Sequence, residues 1–154
     1  MAIKGVVHTS FTVADMQDSL DFWTGPLGFR LVARGPWDSD NLGRVVGVPG
    51  VKMDIAILEG YGHGIELIAC HAPEAAPLDV QPHKPLASHL ALEVDDIETT
   101  TAALVGAGAT RQGEIEFLDD DPDDAGWAVY LRDPNGIIIE LIQPSELSCK
   151  PSEV

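Results

Sequence analysis

Apolar and polar residues alternate along the chain up to Val13, after which the apolar positions fall at helical spacing, with Met16, Leu20 and Trp23 on one stripe. The same change of period occurs at Val94, followed by a weaker stripe of Ile97, Thr101, Leu104 and Val105. Alternation sends successive side chains to opposite faces of a strand, whereas spacings of three and four residues gather them on one side of a helix. Asp15 and Asp96 stand at the two switches, where a carboxylate can accept hydrogen bonds from the free N–H groups of a first helical turn. Glycines follow each stripe, Gly25 and Gly28 in one case and Gly106 and Gly108 in the other, and serve as helix stops. Each stretch predicts a strand followed by a helix.

Set with His8 over His89, the two stretches are copies of one module. Phe11 meets Leu92, Val13 meets Val94, Asp15 meets Asp96, Met16 meets Ile97 and Gly25 meets Gly106. Three further strands are expected in each copy: about Phe29 to Ala33, Val51 to Leu58 and Ile65 to Cys70, then about Ala109 to Glu116, Trp127 to Arg132 and Ile137 to Ile142. The turn Asp133-Pro134-Asn135-Gly136 suits a hairpin, since proline presets one dihedral and Asn-Gly tolerates positive φ, and Gly60 to Gly64 should do the same work in the first copy. Between the copies, His71 to Pro85 holds four prolines in fifteen residues and reads as a surface linker. The expected organisation is α+β, a single domain of two tandem βαβββ modules at about 3–71 and 86–144, a linker over 72–85 and a tail over 145–154.

Composition narrows the class of protein. A chain of 154 residues, 45% hydrophobic, is long enough to bury a real core. No run approaches the roughly 18 apolar residues of a membrane span, and the first residues lack the apolar core of a secretion signal, so a cytoplasmic protein is expected. Cys70 and Cys149 have no metal or redox spacing and read as reduced thiols. Nine Lys and Arg against 25 Asp and Glu leave a net charge of −16, which repels nucleic acid, acidic membranes and polyanionic ligands and favours a small, neutral substrate.

One feature of each module resists a purely structural reading. Gly64 to Ile68 reads GIELI and Gly136 to Ile142 reads GIIIELI, so Glu66 and Glu140 each sit within an apolar strand. Burying a lone carboxylate is costly, as is burying a lone imidazolium. His8 and His89 occupy matching first strands, where His8 shares a face with Val6 and Ser10 while Val7 and Phe11 need another environment. A divalent metal relieves both costs: two neutral imidazoles and two carboxylates form a charge-balanced set that suits Zn, Ni, Co, Mn or Fe(II) and leaves positions open for substrate.

The module pair, the His of VVHTSFTV, the Glu of GIELI, the His of SHLALEVDD and the DPNGIIIEL ending resemble the vicinal oxygen chelate superfamily over about residues 3 to 144. That superfamily includes glyoxalase I, methylmalonyl-CoA epimerase, ring-cleaving dioxygenases, fosfomycin-resistance enzymes, bleomycin-binding proteins and cyclitol epimerases. The resemblance implies sheets curled into a cup, helices outside, and one metal on the concave face held by His8, Glu66, His89 and Glu140. A ligand at the position of Glu66 is found chiefly in the isomerases of the family. The resemblance therefore implies abstraction of a proton beside a carbonyl through a metal-stabilised enediolate, with Glu140 as first candidate base.

The leading expectation is an epimerase acting on a methylmalonyl-CoA-like thioester or, given the acidity, on a neutral hydroxyketone or cyclitol. A glyoxalase I-like lactoylglutathione lyase, an Fe(II) ring-cleaving dioxygenase and a non-enzymatic drug-binding protein are the alternatives. Epimerisation requires acid and base groups on opposite faces of the substrate. In the epimerases a glutamate on the third strand of the first module supplies the second group, and in VKMDIAIL the alternation would aim Asp54 into the cup in its place. The stretch Arg34 to Gly50, rich in glycine and proline, is a candidate lid, with Trp37, Asn41 and Arg44 as substrate contacts; Tyr130 is a fourth. The acidic run from Asp119 to Gly126 lacks calcium-loop spacing and reads as solvated. His63, His71 and His83 are expected in turn or linker, exposed. A homodimer is expected, with the metal ligands drawn from one chain or two.

Overall fold

The computed structural model describes residues 2–76, 78–119 and 125–145. The chain divides into two compact units, Met1–Asp79 and Val80–Val154. Cys149 and Asp120 to Asp124 of the acidic run lie outside the described residues.

The first unit runs β1 (Thr9–Val13), α1 (Met16–Thr24), β2 (Arg30–Trp37), α2 (Leu42–Val46), β3 (Lys52–Gly60) and β4 (His63–Ala72). Its sheet has the order β1-β4-β3-β2, with β1 and β4 parallel and the remaining pairs antiparallel. Asp15 caps α1, accepting from the N–H groups of Gln17 and Asp18 at 2.8 and 2.9 Å. The predicted stripe of Met16, Leu20 and Trp23 is buried. Trp23 lies 5.8 Å from the ring of Phe11 and 5.3 Å from that of Phe29, so α1 covers the sheet face that carries Phe11. Strand register puts Val13, Ala56, Leu58, Ile65, Leu67 and Ala69 on that same face, and all are buried. A large aliphatic side chain buried this way contributes about 1.5–3 kcal/mol.

Several expectations for this unit are corrected. β1 begins only at Thr9, so Val7 precedes the sheet and is 84% exposed instead of packed. β2 continues past Ala33 to Trp37; Pro36 is tolerated because β2 is an edge strand whose N–H groups need no second partner. The expected loop from Arg34 to Gly50 is thus strand at its start, and α2 lies within it because Leu42 is buried in a cluster with Val51 and Met53. His63 and His71 belong to β4, not to turn or linker. The hairpin between β3 and β4 is a tight one: Gly60 pairs with His63 and both intervening residues, Tyr61 and Gly62, have positive φ (54° and 74°). Tyr61 is held in that conformation by its phenol, which donates to the Leu27 carbonyl at 2.8 Å, and by an edge contact with Phe29.

The second unit runs β5 (His89–Glu93), α3 (Ile97–Gly106), β6 (Thr110–Arg111), β7 (Glu116–Leu118), β8 (Gly126–Arg132) and β9 (Ile138–Pro144). The sheet order is β5-β9-β8-β6, with β7 also paired to β8. Asp96 caps α3 through the Thr99 N–H and hydroxyl at 2.9 and 2.8 Å, and these bonds, the backbone one foremost, hold its carboxyl below the usual carboxylate range. Ile97, Thr101 and Leu104 are buried, whereas Val105 is 41% exposed and leaves the expected stripe. Val129, Leu131, Ile139 and Leu141 form the buried strand face.

The strand expected over Ala109 to Glu116 is broken into β6 and β7. Between them the N–H groups of Gln112 and Gly113 both donate to the carbonyl of Tyr130, at 2.8 and 3.3 Å, which marks a bulge opposite that residue. The β8–β9 turn is organised by the buried Asp133, whose carboxylate accepts from the N–H groups of Asn135 and Ile137 at 2.9 and 2.8 Å. Only Gly136 takes positive φ there, at 87°; Asn135 does not. No described helix is long and apolar enough to cross a membrane.

Candidate functional site

Glu66 faces away from α1. It pairs with Ile57 across β3 and with Ser10 across β1, so its side chain shares the sheet face of Ile55, Ile57, Ile68, Ser10 and Thr12. Glu66 is buried, at 8% exposure, on a face that is otherwise largely aliphatic. What compensates its carboxylate is His8, whose Nε2 lies 3.4 Å from Oε2 of Glu66. Gly64 makes this approach possible: a Cβ there would stand 2.7 Å from the carbonyl oxygen of Val7, so only glycine lets the segment before β1 pass close enough to bring His8 alongside.

The second unit repeats the arrangement. Glu140 pairs with Ala91 across β5 and with Tyr130 across β8, and His89, Ala91, Tyr130 and Glu140 share one face, opposite the buried Leu131 and Leu141. Nε2 of His89 lies 3.1 Å from Oε2 of Glu140. The Tyr130 ring lies 5.1 Å from the imidazole of His89. Burial, reinforced by the neighbouring charge of Glu140, pushes the Tyr130 phenol above the usual tyrosine range.

The same pair of atoms, Nε2 and Oε2, is juxtaposed in both units. Metal bonds of about 2.1 Å separate two ligands by about 3.0 Å at an octahedral right angle and about 3.4 Å at the tetrahedral angle. The observed separations of 3.4 and 3.1 Å fall at these values, so each pair can serve as adjacent ligands of one divalent ion with little rearrangement. Imidazole and carboxylate also suit the borderline metals by donor type. Among the described residues no group of three or more His, Cys, Asp or Glu side chains is gathered into a metal-binding cluster; the four expected ligands occur as two pairs.

Asp54 is a correction. Register pairs Ile57 with Glu66 and Asp54 with Ala69, and no bulge intervenes, so Asp54 lies on the α1 face of the sheet and not on the face of Glu66. Its carboxylate instead lies 3.5 Å from Nε2 of His71. The alternation in β3 was legible, but which of its two faces carried the glutamate depended on a cross-strand register that no single strand encodes.

The remaining candidates are distributed over both units. Trp37 pairs with Met53 on the Glu66 face and is 37% exposed. Leu42 of α2 seats against Met53, with Val48, Ile55 and Ile68 packed around it, so α2 covers one end of that face. Asn41 and Arg44, on α2 and its start, are exposed and hydrogen-bonded to each other. Cys70 is a free, exposed thiol. The feature that sequence reasoning missed is the bulge at Gln112 and Gly113; a glycine inside a strand candidate was its signal.

Comparison with known proteins gives one family match: the sequence model of the Glyoxalase/Bleomycin resistance protein/Dioxygenase superfamily matches residues 5–141. A lactoylglutathione lyase of Haemophilus influenzae is 29% identical over 140 residues, covering 90% of this chain and 91% of that protein. Among solved structures, a glyoxalase family protein from Bacillus cereus superposes with a TM-score of 0.80 at 23% identity, covering 94% of this chain and 96% of the other. A fosfomycin resistance protein from Listeria monocytogenes, solved with Mn(II), superposes with a TM-score of 0.61 at 14% identity, covering 97% and 98%. At these identities the two structures establish a shared fold.

Proposed function

Because the chain belongs to the glyoxalase/bleomycin resistance protein/dioxygenase superfamily, we propose that it is a metal-dependent isomerase of the glyoxalase I kind, converting the thiol adduct of a 2-oxoaldehyde into the thioester of a 2-hydroxy acid. The observation that carries this reading is the repetition of one His–Glu pair, Nε2 to Oε2, on the face away from the helix in both units. His8, Glu66, His89 and Glu140 are the proposed ligands of a single Zn, Co, Ni or Mn ion, whether the units come from one chain or from paired copies. Bound there, such an ion would draw electron density from the substrate carbonyl and its neighbouring oxygen and so would bring the adjacent carbon acid within reach of a carboxylate base.

Glu140 is the proposed base. It takes the proton from the carbon that bears sulfur, and the electron pair moves toward the adjacent carbonyl. The carboxyl group then returns the proton to the former carbonyl carbon, while the hydroxyl proton passes to the former carbonyl oxygen. No electrons leave the substrate, so one mobile carboxylate suffices.

The position of Asp54 favours this chemistry over the epimerisation that the sequence suggested first, because the second acid or base that epimerisation requires lies on the other side of the sheet. Similarity to a lactoylglutathione lyase supports the same choice. The net charge of −16 opposes a thiol partner that carries carboxylates, so the thiol is itself a variable of the test.

The test is to load the purified protein with Zn, Co, Ni or Mn in turn and to follow thioester formation from methylglyoxal with glutathione and with an uncharged thiol. Binding of a divalent ion together with thioester formation in at least one metal form is expected. No thioester with any metal or thiol would overturn the reading, and deuterium exchange into a cyclitol ketone or a methylmalonyl thioester would replace it with epimerisation.

A further inference from the structure

A histidine that serves as a metal ligand is usually held in orientation by a hydrogen bond from its second ring nitrogen. Among the described residues, His89 has no such bond: its ring contacts are the Glu140 carboxylate at Nε2 and the ring of Tyr130. His89 is the first residue of β5 and its side chain is 41% exposed, so little else limits its rotation. The Tyr130 ring lies 5.1 Å away at an interplanar angle of 40°. The backbone of Tyr130 is held by two N–H groups, those of Gln112 and Gly113, which the bulge between β6 and β7 directs at its carbonyl. The corresponding position in the first unit, opposite Glu66, is Ile57.

We propose that Tyr130 is a positioning residue: its ring, on a strand backbone pinned opposite the bulge at Gln112 and Gly113, holds the His89 imidazole so that Nε2 faces Glu140. Contact between rings replaces the missing hydrogen bond as the orienting interaction. The consequence for metal binding rests on the function proposed above, whereas the orientation of the imidazole does not, and the experiment separates the two.

Imidazole proton signals are recorded by NMR on the metal-free protein, with His89→Gln identifying the His89 signals, and Ni(II) affinity is measured by calorimetry. The variants are Tyr130→Phe, which keeps the ring, and Tyr130→Ile, which installs the residue found opposite Glu66. In the wild type and Tyr130→Phe, the His89 protons should show ring-current shifts and Ni(II) affinity should agree within about twofold. In Tyr130→Ile, the shifts should collapse to those of a freely rotating histidine and Ni(II) affinity should fall about tenfold, the low end for loss of an orienting partner. Unchanged His89 shifts in Tyr130→Ile would overturn the proposal. So would equal damage from Tyr130→Phe, since the hydroxyl and not the ring would then be responsible. If the wild type binds no metal, the proposed function fails, yet the metal-free spectra still decide the role of Tyr130.

Discussion

Glu66 stands across its sheet from Ile57, and Glu140 across its own from Tyr130. The side chain of Glu66 is 11% exposed and that of Glu140 is 16%, while their histidines lie at 3.4 and 3.1 Å. The repeat has thus reproduced the strand pairing and the His–Glu pair but varied the neighbour. Apart from the hydroxyls of Ser10 and Thr12, the strand residues on the Glu66 face are largely aliphatic, so a buried carboxylate that left its histidine or a cation would lose its main compensation. Glu140 instead has the Tyr130 ring across β8 and is the more exposed of the two carboxylates. The difference suits Glu66 to a fixed role and Glu140 to a mobile one.

The sharpest way to break this comparison is to remove each charge in turn. Glu140→Gln deletes the proposed base and should lower kcat about a thousandfold, within the range typical of lost general-base catalysis. Glu66→Gln retains a carbonyl oxygen as a potential ligand and should lower kcat about tenfold, with weaker metal retention. Steady-state kinetics on the metal-loaded variants check both. Equal losses would mean that the two carboxylates are interchangeable and that the Ile57–Tyr130 difference is without consequence.

The scaffolds beneath the two pairs should behave alike. Leu67 and Leu141 each follow a glutamate, point the opposite way and are fully buried. Truncation of either to alanine should cost about 3 kcal/mol, from lost burial and the cavity left behind, as read by urea unfolding. A much smaller cost in one unit would show that its core relaxes into the cavity and that the duplication is not mechanical.

Much of this duplication was legible in the sequence, for a local reason. The change of period at Val13 and Val94, the caps at Asp15 and Asp96, and the isolated glutamates all depend on neighbours a few residues away. Asp54 and the broken strand before β7 depended on contacts between strands. The alternation in β3 defines two faces but not which of them meets Glu66, and Gly113 signals an irregularity but not that Tyr130 lies across from it. Leu42, Val45 and Val46 do fall at helical spacing, but Val45 and Val46 are exposed and Leu42 alone of the three is buried, so the local pattern did not show what α2 covers.

The helix caps provide a finer comparison. Asp15→Ala should destabilise the first unit by about 1 kcal/mol. Asp96 adds a pH dependence, because its folded carboxyl lies below the unfolded value of 3.8. A carboxylate depressed on folding stabilises above the unfolded value, and that contribution disappears as pH falls through the lower folded one. Asp96→Asn should therefore flatten the loss of stability below about pH 4 relative to wild type, as measured by thermal unfolding across the acid range.

The smallest effect is expected at Asp54, and it is informative because the epimerase reading required the opposite. Asp54 and His71 form a partly exposed pair at 3.5 Å on the α1 face, and such pairs contribute at most about 1 kcal/mol. Asp54→Asn removes any acid–base capacity while preserving size and polarity. It should change kcat by less than about twofold, against the hundredfold or greater loss that follows removal of a general acid or base. Deuterium exchange at the reacting carbon gives the second readout: with Glu140 as the only base, both proton transfers occur from one side of the substrate and the exchange rate is unaltered by Asp54→Asn. A loss of exchange in that variant would mean that the α1 face communicates with the chemistry, and the assignment of a single base would have to be abandoned.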